Sequence, residues 1–333
     1  MKIFISIASY QDPLLLETLH SAYENAENKD QLRFVVCEQA ETGIDLQSIE
    51  FKQQIEYELI PPIIAKGPCW ARARIQNFIT NEQYYLQIDS HTIFSKNWDR
   101  ILISYHKWIE GSLKNNVVIT GYPRAFKPNK DLTSFELDTK YKKTMGLTFH
   151  ENKLFDDGYY SSQKGFPAGT DRPSKGLLVA GGFIFAKSNF VNEIPYDSKF
   201  YFHGEELNLA LRLFTRGWDV AHIPRVPLFH LYTDVENLPR KLHWDPDDEK
   251  DRIIKWDTLD KLSKERLANL IHNQIEGSFG LGSIRTIQEF SDICGIDLLT
   301  KEVIDAGLAT DGFPFTEIKS DIAPFETVAI DNL

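Results

Sequence analysis

The stretch Tyr84-Tyr85-Leu86-Gln87-Ile88-Asp89-Ser90-His91 decides the reading of this chain. Tyr84 to Ile88 is aromatic and apolar with one polar break at Gln87, the pattern of a buried strand. It runs directly into an acid, a small residue and an imidazole. Alternate residues of an extended chain point the same way, so Asp89 and His91 can face one point just past the carboxyl end of a strand. In open α/β sheets that edge is where ligands bind. A carboxylate and an imidazole aimed together suit a divalent metal such as Mn²⁺. On these residues alone, a turn-capping Asp beside a surface His stays open as the alternative.

Working outward, the same strand-then-loop grammar repeats. Ile3 to Ala8 reads as a central strand, followed by the loop Ser9-Tyr10-Gln11-Asp12-Pro13. Asp12 and Pro13 have the form of an N-cap with proline at the first helical position. Leu15, Leu16, Leu19, Ala22 and Tyr23 then fall at helical spacing. Leu32 to Cys37 is a second strand that ends at Glu38. Ile55 to Ile60 is a third, broken by Pro61-Pro62. Gly67-Pro68 makes a turn, and a helix then runs through Ile75, Phe78 and Ile79 with Arg72 and Arg74 near its start, where unpaired N–H groups also favour anions. The two arginines are two positions apart and so do not share a helix face. This order predicts an α/β fold with a mostly parallel sheet and right-handed crossovers.

Farther along, Asn97 to Trp108 reads as a helix and Val117 to Thr120 as a strand. Residues 126–174 carry weak periodicity with frequent Gly, Pro and polar residues, as a loop-rich substrate-facing segment would. Leu177 to Ala186 reads as a strand interrupted by Gly181-Gly182, which would let another group approach the backbone closely. Glu205-Glu206 open a helix that ends at Gly217. His230 lies in an aromatic, apolar setting. After Asp234 the composition shifts towards charged residues and amphipathic segments. We therefore expect a domain at 1–240 and a helical C-terminal extension with a tail at 241–333.

Composition bounds the function. The 333 residues carry a formal net charge of −11, with 42% hydrophobic and 26% charged residues. A general nucleic-acid or anionic-membrane surface is not expected from that balance. The three cysteines, Cys37, Cys69 and Cys294, show no metal or disulfide spacing and fit a reducing, cytoplasmic location. No stretch approaches the ~18–20 apolar residues of a membrane span.

Several of these stretches, taken together, resemble bacterial and protist GlcNAc transferases of the GT-A type, a family similar to the Skp1 hydroxyproline GlcNAc transferase. The carriers are Ile5 to Pro13, Gly67-Pro68-Cys69-Trp70-Ala71-Arg72, Tyr84 to His91, His203-Gly204-Glu205-Glu206 and Gly280 to Thr286. The resemblance covers most of residues 1 to about 300 and no part of the tail. It implies a GT-A fold, a mixed but mostly parallel Rossmann-like sheet flanked by helices, with a helical C-terminal appendage. It also implies a UDP-sugar donor, a Mn²⁺ (or Mg²⁺) cofactor and transfer with retention. By this reading Asp89, His91 and His230 hold the metal. Ser9, Tyr10 and Glu38 border the uridine, Arg72 contacts phosphate, and Gly181 and Gly182 adjoin the donor. Glu205 or Glu206 binds a sugar hydroxyl or the acceptor. The donor sugar (Glc, GlcNAc or GalNAc) stays open. So does the acceptor, whether a protein, a glycan or a lipid-linked sugar, and so does pairing of two copies through the appendage. A nucleotidyltransferase-like metal enzyme and a non-catalytic sugar-binding module are the rival classes.

Overall fold

The computed structural model describes residues 1–140, 142–151, 155, 162–233, 240–312 and 315–319. The two opening strands, Ile3–Tyr10 (β1) and Leu32–Gln39 (β2), lie parallel with Ile3 opposite Leu32. The helix between them, Leu15–Asn25 (α1), begins two residues later than Asp12-Pro13 suggests. Asp12 Oδ1 instead accepts from Leu14 N at 3.0 Å and shapes the turn ahead of the helix. Both strands also run longer than expected. Ser9, Tyr10 and Glu38 are the last residues of strands, not members of the following loops.

Ile55–Ile60 (β3) pairs parallel outside β2, and Tyr84–Asp89 (β4) pairs parallel on the other side of β1. Between them runs Pro68–Gln76 (α2), with proline in its first turn as the missing N–H allows. After β4 come a short strand Thr92–Phe94 (β5), the helix Trp98–Leu113 (α3) and the strand Val117–Thr120 (β6). Residues 126–174 are not simply loop. Arg124–Pro128 (β7) and Phe135–Leu137 (β8) pair antiparallel, and so do Met145–Phe149 (β9) and Gln163–Pro167 (β10). These strands are only three to five residues long, and all but β9 are partly exposed, so they lack the apolar runs that announce a buried strand.

Ser174–Gly176 (β11) and Phe183–Lys187 (β12) follow. The expected strand from Leu177 starts only at Phe183, because Gly181 and Gly182 form a turn. Asn189–Glu193 (α4) and Glu205–Thr215 (α5) lead to Asp219–His222 (β13) and Leu228–His230 (β14). The main sheet has eight strands in the order β11-β13-β6-β12-β4-β1-β2-β3. Six point one way; β12 is antiparallel to both β4 and β6, and β11 is antiparallel to β13. The sheet is therefore mixed and mostly parallel. A second sheet, β5-β14-β7-β8, stands against the carboxyl end of β4.

Side-chain alternation in β1 shows how the layers form. Ile3, Ile5 and Ile7 enter the apolar cluster under α1 and α3 with Leu15, Leu19, Trp98 and Leu102. Phe4 enters the opposite cluster with Ala71, Ile75 and Leu209. In the C-terminal part, Pro246–Glu249 (α6), Trp256–Ile271 (α7) and Ile287–Cys294 (α8) are followed by Ala306–Thr310 (α9). Leu267, Ile271, Phe290 and Cys294 are buried in that second cluster, so α7 and α8 share a core with the sheet. Residues 313–314 and 320–333 of the expected tail lie outside the described residues. Among the described residues, no helix is long and apolar enough to cross a membrane.

Candidate metal centre and donor cleft

β4 ends at Asp89, the chain bends at Ser90-His91, and β5 begins at Thr92. Thr18 of α1 pins that bend: its Oγ1 donates to Ser90 O at 2.7 Å and accepts from Thr92 N at 2.9 Å. β14 is then laid antiparallel on β5, with His230 opposite Thr92 and Leu231 N donating to His91 O at 3.2 Å. Residues far apart in sequence therefore converge. Asp89 Oδ2 lies 3.0 Å from His230 Nε2 and 3.9 Å from His91 Nε2. The three side chains can bring one ligand atom each to within 4.8 Å of one another.

The chemistry of this donor set fits a divalent cation. His91 Nδ1 lies 2.7 Å from Asp12 Oδ2. Burial opposes ionisation of Asp12, but the His91 ring and donors from Leu14 and Ser90 outweigh it and hold its carboxyl below the usual range. A carboxylate only accepts, so Nδ1 of His91 donates to it, and Nε2 is the nitrogen left to ligate when the ring is neutral. Asp89 is likewise ionised. Burial pushes its carboxyl up, and the hydrogen bond from His230 with the nearby Arg72 and His91 pull it far below the usual range. Burial drives His230 below the ordinary imidazole range, against the raising effect of Asp89. A carboxylate oxygen and an imidazole lone pair facing each other at 3.9 Å leave room for a cation between them.

The cleft beside this cluster has a volume of about 410 Å³. Arg72, Asp89, Gly181, Gly182, Glu205 and Glu206 all line it. Arg72 is buried, and its guanidinium is committed to two carboxylates: Nη2 donates to Asp89 Oδ1 at 2.6 Å and Nη1 to Glu205 Oε1. Tyr196 Oη donates to the same Glu205 oxygen at 2.6 Å. Gln87, the polar break in β4, donates to Tyr196 Oη at 2.6 Å and to Gly181 O at 2.7 Å. Glu206 accepts from Gly181 N at 2.9 Å and from Gln163 Nε2 at 2.7 Å. Burial raises the Glu206 carboxyl to about 7.

Within the cleft, carboxylates press close on the backbone of the two glycines. A Cβ on Gly182 would lie 2.8 Å from Asp89 Oδ2, and one on Gly181 2.9 Å from Glu205 Oε1. At the other end of the sheet edge, Tyr10 accepts a hydrogen bond on its hydroxyl from Arg252 Nη2 at 2.5 Å. Glu38 is buried and accepts from Tyr57 Oη at 2.5 Å and Ile44 N at 3.2 Å. Ser9 is buried beside them on β1 with its Oγ unpartnered. Arg74, the other arginine of α2, pairs with Glu58 away from the cleft. The stretch Gly280 to Thr286 docks on the end of α5, with Gly282 N donating to Thr215 Oγ1 at 2.8 Å.

Family comparison agrees with this geometry. A profile described as Glycosyltransferase (GlcNAc) matches residues 42–300, most of the chain. The chain belongs to this family. The match crosses residue 240, in keeping with the core that the GlcNAc glycosyltransferase chain shares between its sheet and its C-terminal helices. Among solved structures, that of GalNAc-T7 with UDP, GalNAc and Mn²⁺ matches with a TM-score of 0.55 at 13% identity. The match covers 87% of this chain and 54% of that one. The GlcNAc-family chain thus spans about half the length of the GalNAc-T7 chain, and the likeness shows the GT-A fold. S. aureus TarS 1–349 in complex with UDP-GlcNAc matches with a TM-score of 0.42 at 13% identity, over 82% of this chain and 73% of that one. A search of curated proteins finds no match.

Asp12, Gln87, Gln163, Tyr196 and Arg252 are the residues of this site that sequence reasoning did not assign. Gln87 had a visible signal, a lone amide inside an apolar strand. Asp12 looked like a plain cap. The others carry no local signal, since each reaches the site from an element distant in the chain.

Proposed function

We propose that this chain is a metal-dependent glycosyltransferase that moves GlcNAc from UDP-GlcNAc to a hydroxyl acceptor with retention of configuration. The observation that carries the reading is the convergence of Asp89, His91 and His230 at the carboxyl edge of the sheet, beside a cleft bearing Glu205 and Glu206. Asp89, His91 and His230 would hold Mn²⁺ or Mg²⁺. When bound, the cation stabilises the negative charge of a departing diphosphate.

The chain's own residues supply the remaining work. Arg72 holds Asp89 and Glu205 at a fixed separation, so that the metal side and the sugar side of the cleft are positioned together. Glu205 and Glu206 bind sugar hydroxyls or the acceptor. Glu206, near its point of half-protonation at neutral pH, can both donate and accept a hydrogen bond. Ser9, Tyr10 and Glu38, at the ends of β1 and β2, border the uridine. Gly181 and Gly182 leave room for the donor to approach the backbone. In domain terms, residues 1–240 provide the catalytic face, and the helices of 241–333 buttress it. The acceptor is a protein, glycan or lipid-linked hydroxyl, and the protein is assigned to the cytoplasm.

The test is a thermal-shift series with UDP-GlcNAc, UDP-Glc and UDP, each with Mn²⁺ or with EDTA, followed by a UDP-release assay over an acceptor panel. A ligand at 100 times its Kd stabilises a fold by about 2.7 kcal/mol. We expect the largest shift with UDP-GlcNAc plus Mn²⁺ and none in Asp89→Ala. Absence of any shift with uridine nucleotides would sink the donor assignment. Binding without turnover on every acceptor would favour a sugar-binding module.

A further inference from the structure

We propose that Asp12 is the positioning residue of the metal centre: it fixes the ring plane and tautomer of His91, so that Nε2 faces Asp89. The inference rests on the reading of Asp89, His91 and His230 as a metal site. Shaping the turn ahead of α1 takes only one carboxylate oxygen, and Asp12 uses Oδ1 for that, accepting from Leu14 N at 3.0 Å. Oδ2 has a separate task. It accepts from Ser90 Oγ at 2.8 Å and from His91 Nδ1 at 2.7 Å. Asp12 is only 6% exposed. Burying a carboxylate is costly unless its oxygens are satisfied, and here three donors converge on it.

The two imidazoles of the cluster differ in this respect. His230 Nδ1 is buried and has no hydrogen-bond partner among the described residues. Its ring is held from the cluster side only, by Asp89 Oδ2 at 3.0 Å from Nε2. His91 sits on a bend, where backbone geometry does not fix a side chain, and it is the imidazole that has a carboxylate behind it. A ligating histidine held through its other nitrogen by a carboxylate binds metal more tightly, typically by 10–100-fold. The turn between β1 and α1 thereby takes part in setting the metal affinity, although it supplies no ligand.

The experiment is a Mn²⁺ titration of the full chain, followed by the electron paramagnetic resonance signal of free Mn²⁺. It is done for the wild type, Asp12→Asn, Asp12→Ala and His91→Ala. In parallel, the His91 tautomer is read from ¹⁵N imidazole shifts of the metal-free protein. Asparagine cannot serve all three donors, because one of its two positions is itself a donor. We expect Asp12→Asn to retain its fold and bind Mn²⁺ 10–100-fold more weakly, with His91 no longer a pure Nδ1–H tautomer. Should Asp12→Ala fail to fold, Asp12→Asn decides. A lower melting temperature with Mn²⁺ affinity within twofold of the wild type, or an unchanged His91 tautomer, overturns the proposal and leaves Asp12 a residue that only shapes the turn. Absence of Mn²⁺ binding by the wild type overturns the metal-site reading itself, a result distinguishable from the first.

Discussion

Gly182 puts a one-atom constraint on the site. Its missing Cβ would stand 2.8 Å from Asp89 Oδ2 and 3.7 Å from His230 Nε2, inside the space between ligand atoms. We expect Gly182→Ala to fold normally and to lose Mn²⁺ affinity by at least tenfold, measured by titration calorimetry. Arg72 is a second such residue. Removing one partner of a buried ion pair typically costs about 3–5 kcal/mol, and Arg72→Met would leave both Asp89 and Glu205 uncompensated. Urea unfolding of that variant should show a loss of this size. Glu206 gives a pH signature. Its carboxyl rises from 4.5 to about 7 in the fold, so folding takes up a proton between those values. Its contribution to stability is therefore greatest at low pH and falls as pH rises through that window. The wild type should lose roughly 1–3 kcal/mol relative to Glu206→Gln between pH 4.5 and 8 in matched denaturant titrations; parallel curves would reject the raised carboxyl.

The elements that form the site differ in how much of them shows in the sequence. β1, β2 and β4 were legible because each is a run of mostly apolar or β-branched residues buried on both faces, and the edge strand β3 because its apolar residues alternate with glutamates. The Asp89–His91 pairing was legible for the same reason, since a strand end fixes which residues share a side. β7 to β10 were not, because strands of three to five residues interrupted by Gly, Pro and charged positions show no period. His230 was legible only through resemblance: its partner strand β5 lies more than a hundred positions earlier, and no local spacing encodes that pairing. The bend at Ser90-His91 offers a test at this scale. Thr18 Oγ1 serves both Ser90 O and Thr92 N. Thr18→Val keeps the shape and removes both bonds, leaving buried groups unsatisfied at about 1–3 kcal/mol. We expect a loss of that order in thermal or urea unfolding, together with faster amide exchange at Thr92.

Across the whole molecule, the C-terminal helices behave as part of the sheet's support. Leu267, Ile271, Phe290 and Cys294 are fully or nearly fully buried against it. Arg252 reaches back to the Tyr10 hydroxyl at the end of β1, and Gln11 Nε2 donates to Asp248 at 3.1 Å. A fragment ending at residue 240 would expose that apolar surface to water. We expect it to be insoluble or to lack near-ultraviolet circular dichroism, while the full chain melts in one cooperative transition. A soluble fragment with native spectra would show that the helices are dispensable. This mutual dependence was not legible in composition, because the charged and polar faces of α7 and α8 conceal the few apolar positions that they bury.

One strand set against the direction of its neighbours has a further consequence. β12 runs antiparallel between β4 and β6, so its amino end meets the carboxyl end of β4, and the Gly181-Gly182 turn arrives opposite Asp89. The cleft is thus walled by two independently connected pieces of chain. One side hangs from β4 and β14; the other hangs from the approach to β12 and the start of α5. Substitutions in the second wall can therefore reshape the cleft while the first wall stays as it is.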